Sequence, residues 1–188
     1  MKKLSLFVSS LFLSIWLFGC QQSGEGEDLN NESIDHATGS TAQNIPKLMP
    51  SDFDFSIRFG VQKKNEMNTF AGTVTKDLIA DGTITSNLIL TEQEMEDIYR
   101  KMVEINIAEA KEFTPVPING TVCTQEPYEE DDWEISINGE TLTFLISGVF
   151  CEPTNDANQL SELRNYVFTI VKSKEEYKSL PASSEGYE

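Results

Sequence analysis

Residue types that could support chemistry are sparse in this sequence. The single histidine, His36, lies in a polar segment rich in Gly, Ser and Asn. Serine and cysteine nucleophiles normally need a neighbouring base, so the commonest hydrolase arrangements are excluded from the folded part. No glycine motif for phosphate binding is present either. We predict no catalytic residue and no cofactor. The alternative is an enzyme that uses carboxylates alone, and its candidates are Asp52, Asp54 and Asp77.

Four consecutive carboxylates, Glu129-Glu130-Asp131-Asp132, form the most concentrated charge in the chain. Calcium prefers several oxygen ligands, which makes this run a possible calcium site. However, consecutive side chains point in different directions, and the alternating acidic spacing and glycine of a calcium loop are missing. A solvated loop before a strand explains the run more simply. We therefore predict no metal site, with calcium binding as the alternative.

The N-terminus has the order of an export signal. Lys2 and Lys3 precede an apolar run over residues 4–18, and Gly19 stands directly before Cys20. The run is shorter than the roughly 20 apolar residues that a membrane-spanning helix needs. It therefore predicts a signal peptide over residues 1–19.

The residues Leu17-Phe18-Gly19-Cys20 resemble the lipobox of bacterial lipoproteins. The resemblance implies that Cys20 is the site of lipid (palmitate) attachment and that cleavage occurs in front of it. It also implies a cell-membrane protein, lipid-anchored on the outer, extracytoplasmic face. Since each buried methylene contributes about 0.8 kcal/mol, two or three acyl chains hold a protein effectively permanently.

The charge of the chain restricts its partners. The formal net charge is −17, and removal of residues 1–19 takes away two lysines and no acidic residue. Such a surface disfavours nucleic acid and repels anionic headgroups. We predict contact with the membrane through the lipid on Cys20 alone, no nucleic-acid partner, and a possible protein or envelope partner.

Composition divides the remaining chain into three parts. Residues 20–50 contain no aromatic residue and predict a lipidated N-terminus followed by a disordered acidic tether. Residues 51–180 are close to the commonest domain length and predict one α+β domain. Residues 181–188 predict a flexible tail.

Hydrophobic periodicity indicates the elements that build this domain. Alternation at residues 53–59 predicts a strand, and Asp81-Gly82 and Asn138-Gly139 predict hairpin turns. Thr91 and Glu94 fit a capping box before a helix over about residues 92–106. Asp156 is the expected N-cap of a second amphipathic helix. The pattern predicts an α+β fold of two layers, in which two amphipathic helices cover one face of an antiparallel sheet of about five or six strands, in the order βββα-βββα.

The second hairpin also bears on the remaining cysteines. When its register is extended outward, Cys123 and Cys151 reach the same end of the two strands. An oxidising compartment permits a disulfide between them, which we predict. The alternative is two separate buried thiols.

Four stretches, DFSIRFG, NTFAGTVTKDL, LTEQEMEDIYRKM and SKEEYKSLP, are similar to segments of small lipoproteins of low-GC Gram-positive bacteria that have no assigned activity. The resemblance implies the fold and the location only. We expect a lipid-anchored, non-enzymatic binding or interaction module at the cell surface. The alternatives are the carboxylate-dependent envelope enzyme and a structural or stress-related envelope protein.

Overall fold

The structure is a computed structural model, and it describes residues 45–184 together with Tyr187. The described residues form one antiparallel sheet and three α-helices, which confirms the α+β class. The elements in chain order are β1 (Asp54–Gly60), β2 (Asn65–Asn68), β3 (Thr73–Ile79), β4 (Gly82–Asn87), α1 (Glu92–Glu104), β5 (Glu130–Ile137), β6 (Glu140–Ser147), α2 (Asn155–Ser173) and α3 (Glu175–Lys178). Cys20, His36 and the predicted signal peptide lie outside the described residues.

The sheet has six strands in the order β4-β3-β2-β1-β5-β6. The first strand in the chain, β1, lies near the centre of the sheet and pairs with both β2 and β5. In the β1–β5 register, Phe55 faces Ile135 and Ile57 faces Trp133. These four side chains are buried, and they belong to the same core as the buried side chains of α1 and α2.

The hairpin at Asn138-Gly139 is confirmed together with its register. Both residues have positive φ, 53° and 77°, as a two-residue turn of this kind requires. Trp133 pairs with Phe144, and Ile135 with Leu142. These four side chains therefore lie on the same face of the hairpin.

The start of α1 is also confirmed. The Thr91 side chain accepts from the backbone N–H of Glu94, and the Glu94 side chain accepts from the backbone N–H of Thr91. The N-cap of α2 is Thr154, whose hydroxyl accepts from the N–H of Ala157 at 3.1 Å. The prediction of Asp156 at this position was wrong because its carboxylate accepts from the N–H of Glu112.

The predicted order βββα-βββα was wrong, because four strands precede α1 and two separate α1 from α2. The additional strand, β2, contains a single buried apolar residue, Met67, so it has no alternation that a sequence pattern could reveal. A third strand between α1 and α2 does not form, and residues 108–129 contain only isolated bridges. Pro115, Pro117 and Pro127 lack the N–H donors that a regular ladder needs.

Both ends of the described region make more contacts than the sequence suggests. Ile45 and Met49, placed in the tether by composition, pack against the core, and the Tyr99 hydroxyl donates to the carbonyl of Pro46 at 2.8 Å. At the other end, the Ser184 N–H donates to the carbonyl of Leu78 at 3.3 Å. The described part of the predicted tail therefore lies along β3. Among the described residues, no helix has the length and apolarity to cross a bilayer.

Candidate functional site

The four consecutive carboxylates do not form a solvated loop. Residues 130–132 begin β5, so their side chains alternate between the two faces of the sheet. Asp132 forms an ion pair with Arg58 on one face and lies 3.9 Å from Lys63. Asp131 lies on the other face, where it is buried. The run therefore contributes one carboxylate to the interior, and the prediction of a loop is corrected.

Arg164 of α2 lies against this buried carboxylate. Its Nη1 donates to Asp131 Oδ1 at 2.8 Å and to Glu129 Oε2 at 3.2 Å. Its guanidinium carbon lies 5.3 Å from the ring centre of Phe59, which is a cation–π distance. The side chains of Asp131 and Arg164 are 5% and 13% exposed, whereas that of Glu129 is 61% exposed. The ion pair is therefore interior, and Glu129 reaches it from the solvent side.

Burial controls the ionisation of Asp131. Loss of hydration raises its pKa from 3.8 to about 6; Arg164 opposes this rise and Glu129 adds to it. Desolvation therefore exceeds the attraction of the guanidinium, as is common for buried ion pairs.

Three buried polar atoms, on this pair and on the residue two positions after Asp131 in β5, have no hydrogen-bond partner among the described residues. They are Asp131 Oδ2, Arg164 Nε and Trp133 Nε1. Leaving such an atom unsatisfied costs about 1–3 kcal/mol, so buried polar atoms are usually paired. This cluster is the clearest departure from that rule in the described part of the chain.

A cleft of about 280 Å³ opens beside the cluster, and we call it the Asp131 cleft. Its walls include Gln125, Pro127, Tyr128, Glu129, Asp131, Ile146, Ser161 and Arg164. A buried acid with a raised pKa in a concave site is a recognised mark of function, although structural ion pairs share it.

The carboxylates named for an enzyme do not meet. Asp52 accepts from the backbone N–H groups of Asn138 and Gly139, at 3.1 Å and 2.6 Å, and so supports the β5–β6 turn. Asp54 begins β1, whereas Asp77 lies in β3 and accepts from the hydroxyl of Tyr187. Glu129 and Asp131 both line the Asp131 cleft, and both accept from Arg164. These two acids are close in the chain, and non-local pairing brings Arg164 of α2 to both of them.

Metal binding has no support from the described residues, which contain no group of three or more His, Cys, Asp or Glu that could hold an ion. Within the acidic run, the guanidinium of Arg164 lies between Glu129 and Asp131. Arg164 therefore supplies one positive charge to these two carboxylates.

Cys123 and Cys151 are brought together at the end of the second hairpin. Their Sγ atoms are 2.06 Å apart and form a disulfide. The N–H of Cys151 donates to the carbonyl of Cys123 at 3.1 Å, and the N–H of Gln125 donates to that of Val149 at 2.8 Å. The link fastens the loop before β5 to the segment that follows β6.

The loop that ends at this disulfide, residues 115–123, is called the apolar loop. Ile118 and Thr121 exchange two backbone hydrogen bonds around Asn119-Gly120, both with positive φ. Before this turn, Val116 and Ile118 are 86% and 68% exposed. Alongside lies a groove of about 420 Å³. The loop thus presents apolar side chains to solvent on a constrained backbone.

No family model matches this chain, and no curated protein is significantly similar to it.

Proposed function

We propose that the chain is a lipid-anchored, extracytoplasmic binding module, and that the apolar loop is the surface that contacts a protein partner. The observation that carries the proposal is the exposure of Val116 and Ile118 on a loop closed by hydrogen bonds and a disulfide. Contiguous exposed apolar patches often mark contact sites, and Val116 and Ile118 stand two residues apart on this loop. Preorganisation lowers the entropy lost when such a loop binds.

Charge favours a basic partner. The groove beside the loop includes Glu152, and Glu126 follows shortly after Cys123. The whole chain carries a formal charge of −17. An apolar patch ringed by lysine or arginine on another protein is therefore the complementary surface. The same acidity opposes insertion of the loop among anionic lipids.

The anchor is proposed from the lipobox resemblance at Cys20. A lipid on this residue holds the protein at the outer face of the cell membrane, and residues between Cys20 and Ile45 separate the domain from the bilayer. A disulfide is compatible with this oxidising compartment.

We also infer that α1 and α2 both cover the apolar face of the sheet. The inference is supported by Ile98 and Met102 of α1, and Leu160 and Val167 of α2, which share one core with the inward side chains of β1 and β5. The opposite face carries Ser and Thr side chains.

A carboxylate-dependent enzyme remains the second candidate, and it now rests on Glu129 and Asp131. Its supporting observation is the raised pKa of Asp131 beside a second carboxylate in a cleft. However, both groups bind Arg164, so an enzymatic role requires that ion pair to open during turnover. Binding needs no such step and is the better-supported function.

Site-specific photo-crosslinking in cells tests the proposal. A photoreactive phenylalanine analogue is placed at Val116 or, separately, at Ile89, which is 78% exposed but lies outside the loop. We expect a discrete protein adduct from position 116 only, and its loss when Ile118→Ser is added. Adducts of equal pattern from both positions, or adducts with lipid alone, contradict the proposed role of the loop.

A further inference from the structure

We propose that the Asp131 cleft binds a small organic cation, namely a primary ammonium or guanidinium group on a short aliphatic chain. The proposal uses different residues from the apolar loop and stands or falls independently of it.

The fixed charges of the cleft favour a cation. Asp131 and Glu129 both accept from the same nitrogen of Arg164, so two carboxylates share one guanidinium. When both acids are ionised, this group of three side chains has a net negative charge. The surrounding protein is also strongly acidic, which attracts cations to a cleft and repels anions.

Hydrogen bonding adds chemical detail. Asp131 Oδ2 is a buried acceptor with no partner among the described residues, on a side chain that is 5% exposed and lines the cleft. An ammonium group offers three donors, and hydrogen bonds between ions are roughly twice as strong as neutral ones. Glu129 is 61% exposed and can meet the same cation from the solvent side.

A metal ion fits this arrangement less well than an organic cation. Calcium takes about six to eight oxygen ligands, and the cleft brings together two carboxylates with a guanidinium beside them. An ammonium group needs only a few acceptors, which Asp131 Oδ2 and the exposed carboxylate of Glu129 can supply.

The size and lining of the cleft limit the rest of the ligand. A volume of about 280 Å³ is at the lower end for small-molecule sites. Pro127, Tyr128 and Ile146 supply carbon surface for a short chain, and the Tyr128 ring can contribute cation–π attraction. A free alkylamine and the lysine side chain of a protein share this chemistry.

Acid should weaken the interaction. The charged groups that face Asp131 are Arg164 from α2 and Glu129 from the segment before β5; the neighbouring Phe59 of β1 and Ile146 of β6 are uncharged. Protonation of Asp131 removes the ionic acceptor. Affinity for the cation is therefore expected to be lower at pH 5 than at pH 7.5.

Calorimetric titration of the full chain in detergent with n-butylammonium tests the site. We expect n-butylammonium to bind saturably. Tetramethylammonium, which has the same charge but no N–H donor, should bind at least tenfold more weakly. Asp131→Asn and Glu129→Gln should each weaken binding at least tenfold. Glu134→Gln removes the same charge from an exposed position of β5 and should change binding less than twofold.

A lysine-containing peptide forms the second arm. If the peptide binds more tightly than n-butylammonium, the natural ligand is assigned as a lysine side chain of a protein. If n-butylammonium binds more tightly, the ligand is assigned as a free amine. The proposal is overturned if neither probe binds saturably, if Asp131→Asn binds like the unmodified chain, or if Glu134→Gln weakens binding as much as Asp131→Asn. None of these results depends on the crosslinking outcome at Val116.

Discussion

Replacing Asp131 by asparagine separates the energetic cost of burying a charge from the benefit of the ion pair with Arg164. Asparagine has nearly the size of a protonated aspartic acid, and its carbonyl oxygen can still accept from Arg164. Burial raises the pKa of Asp131 from 3.8 to about 6. Because one pKa unit corresponds to about 1.4 kcal/mol, ionised Asp131 lowers the free energy of unfolding by about 3 kcal/mol relative to the protonated acid.

The sign of the pH effect follows from linkage. The folded state holds the proton more tightly than the unfolded state, so the contribution of Asp131 is most favourable below pH 3.8. It is lost as the pH rises to about 6 and stays lost at higher pH. We therefore expect Asp131→Asn to change stability little at pH 4 and to raise the free energy of unfolding by about 2–3 kcal/mol at pH 7.5.

Urea unfolding followed by circular dichroism at pH 4, 5, 6 and 7.5 measures this difference between the variant and the unmodified chain. Glu134→Gln, on the exposed side of the same strand, is the charge-matched control and should give a difference below about 0.5 kcal/mol at every pH. At each pH, the free energy of unfolding of Asp131→Asn is compared with that of the unmodified chain. The reasoning is refuted if this comparison favours the variant less at pH 7.5 than at pH 4. That result would mean that attraction to Arg164 exceeds the cost of desolvation.

Three further outcomes are expected. Removing the disulfide with Cys123→Ala and Cys151→Ala together should lower the free energy of unfolding by about 3.5 kcal/mol, since the link spans 28 residues, and chemical reduction of the unmodified chain should reproduce the loss in urea titrations. Thr91→Ala should destabilise the domain by about 1 kcal/mol because the N–H of Glu94 loses its acceptor, whereas Thr91→Ser should retain most of the stability. Cys20→Ala should move the protein from the membrane fraction to the soluble fraction and abolish the mass increase from acyl chains; retention in the membrane fraction contradicts the proposed anchor.

Local signals account for the parts of the fold that could be predicted. The turn at Asn138-Gly139 and the capping box of Thr91 with Glu94 depend on residues within a few positions of each other. The short strand β2 has no such signal, because its pairing with β1 and β3 rather than its composition makes it a strand.

The ion cluster was missed because it joins β5 to a helix more than thirty residues later. A signal was nevertheless present. Asp131 has the same strand parity as Trp133 and Ile135, so continuing the inward face by one step places a carboxylate in the interior. Arg164 likewise follows Leu160 by four residues on the buried stripe of α2. An acid and a base that both violate an apolar pattern are candidates for a pair.

The position of β1 near the middle of the sheet has a mechanical consequence. If the lipid holds the N-terminal end, tension between the envelope and a bound partner acts first on the packed residues 45–49 and then on β1, which has a neighbouring strand on each side. Extraction of that strand breaks its backbone hydrogen bonds to two neighbouring strands. An edge strand would lose its hydrogen bonds to one neighbour only. Because resistance to pulling is set by the unfolding rate, the two-sided pairing of β1 is expected to slow unfolding under a load applied at the N-terminal side.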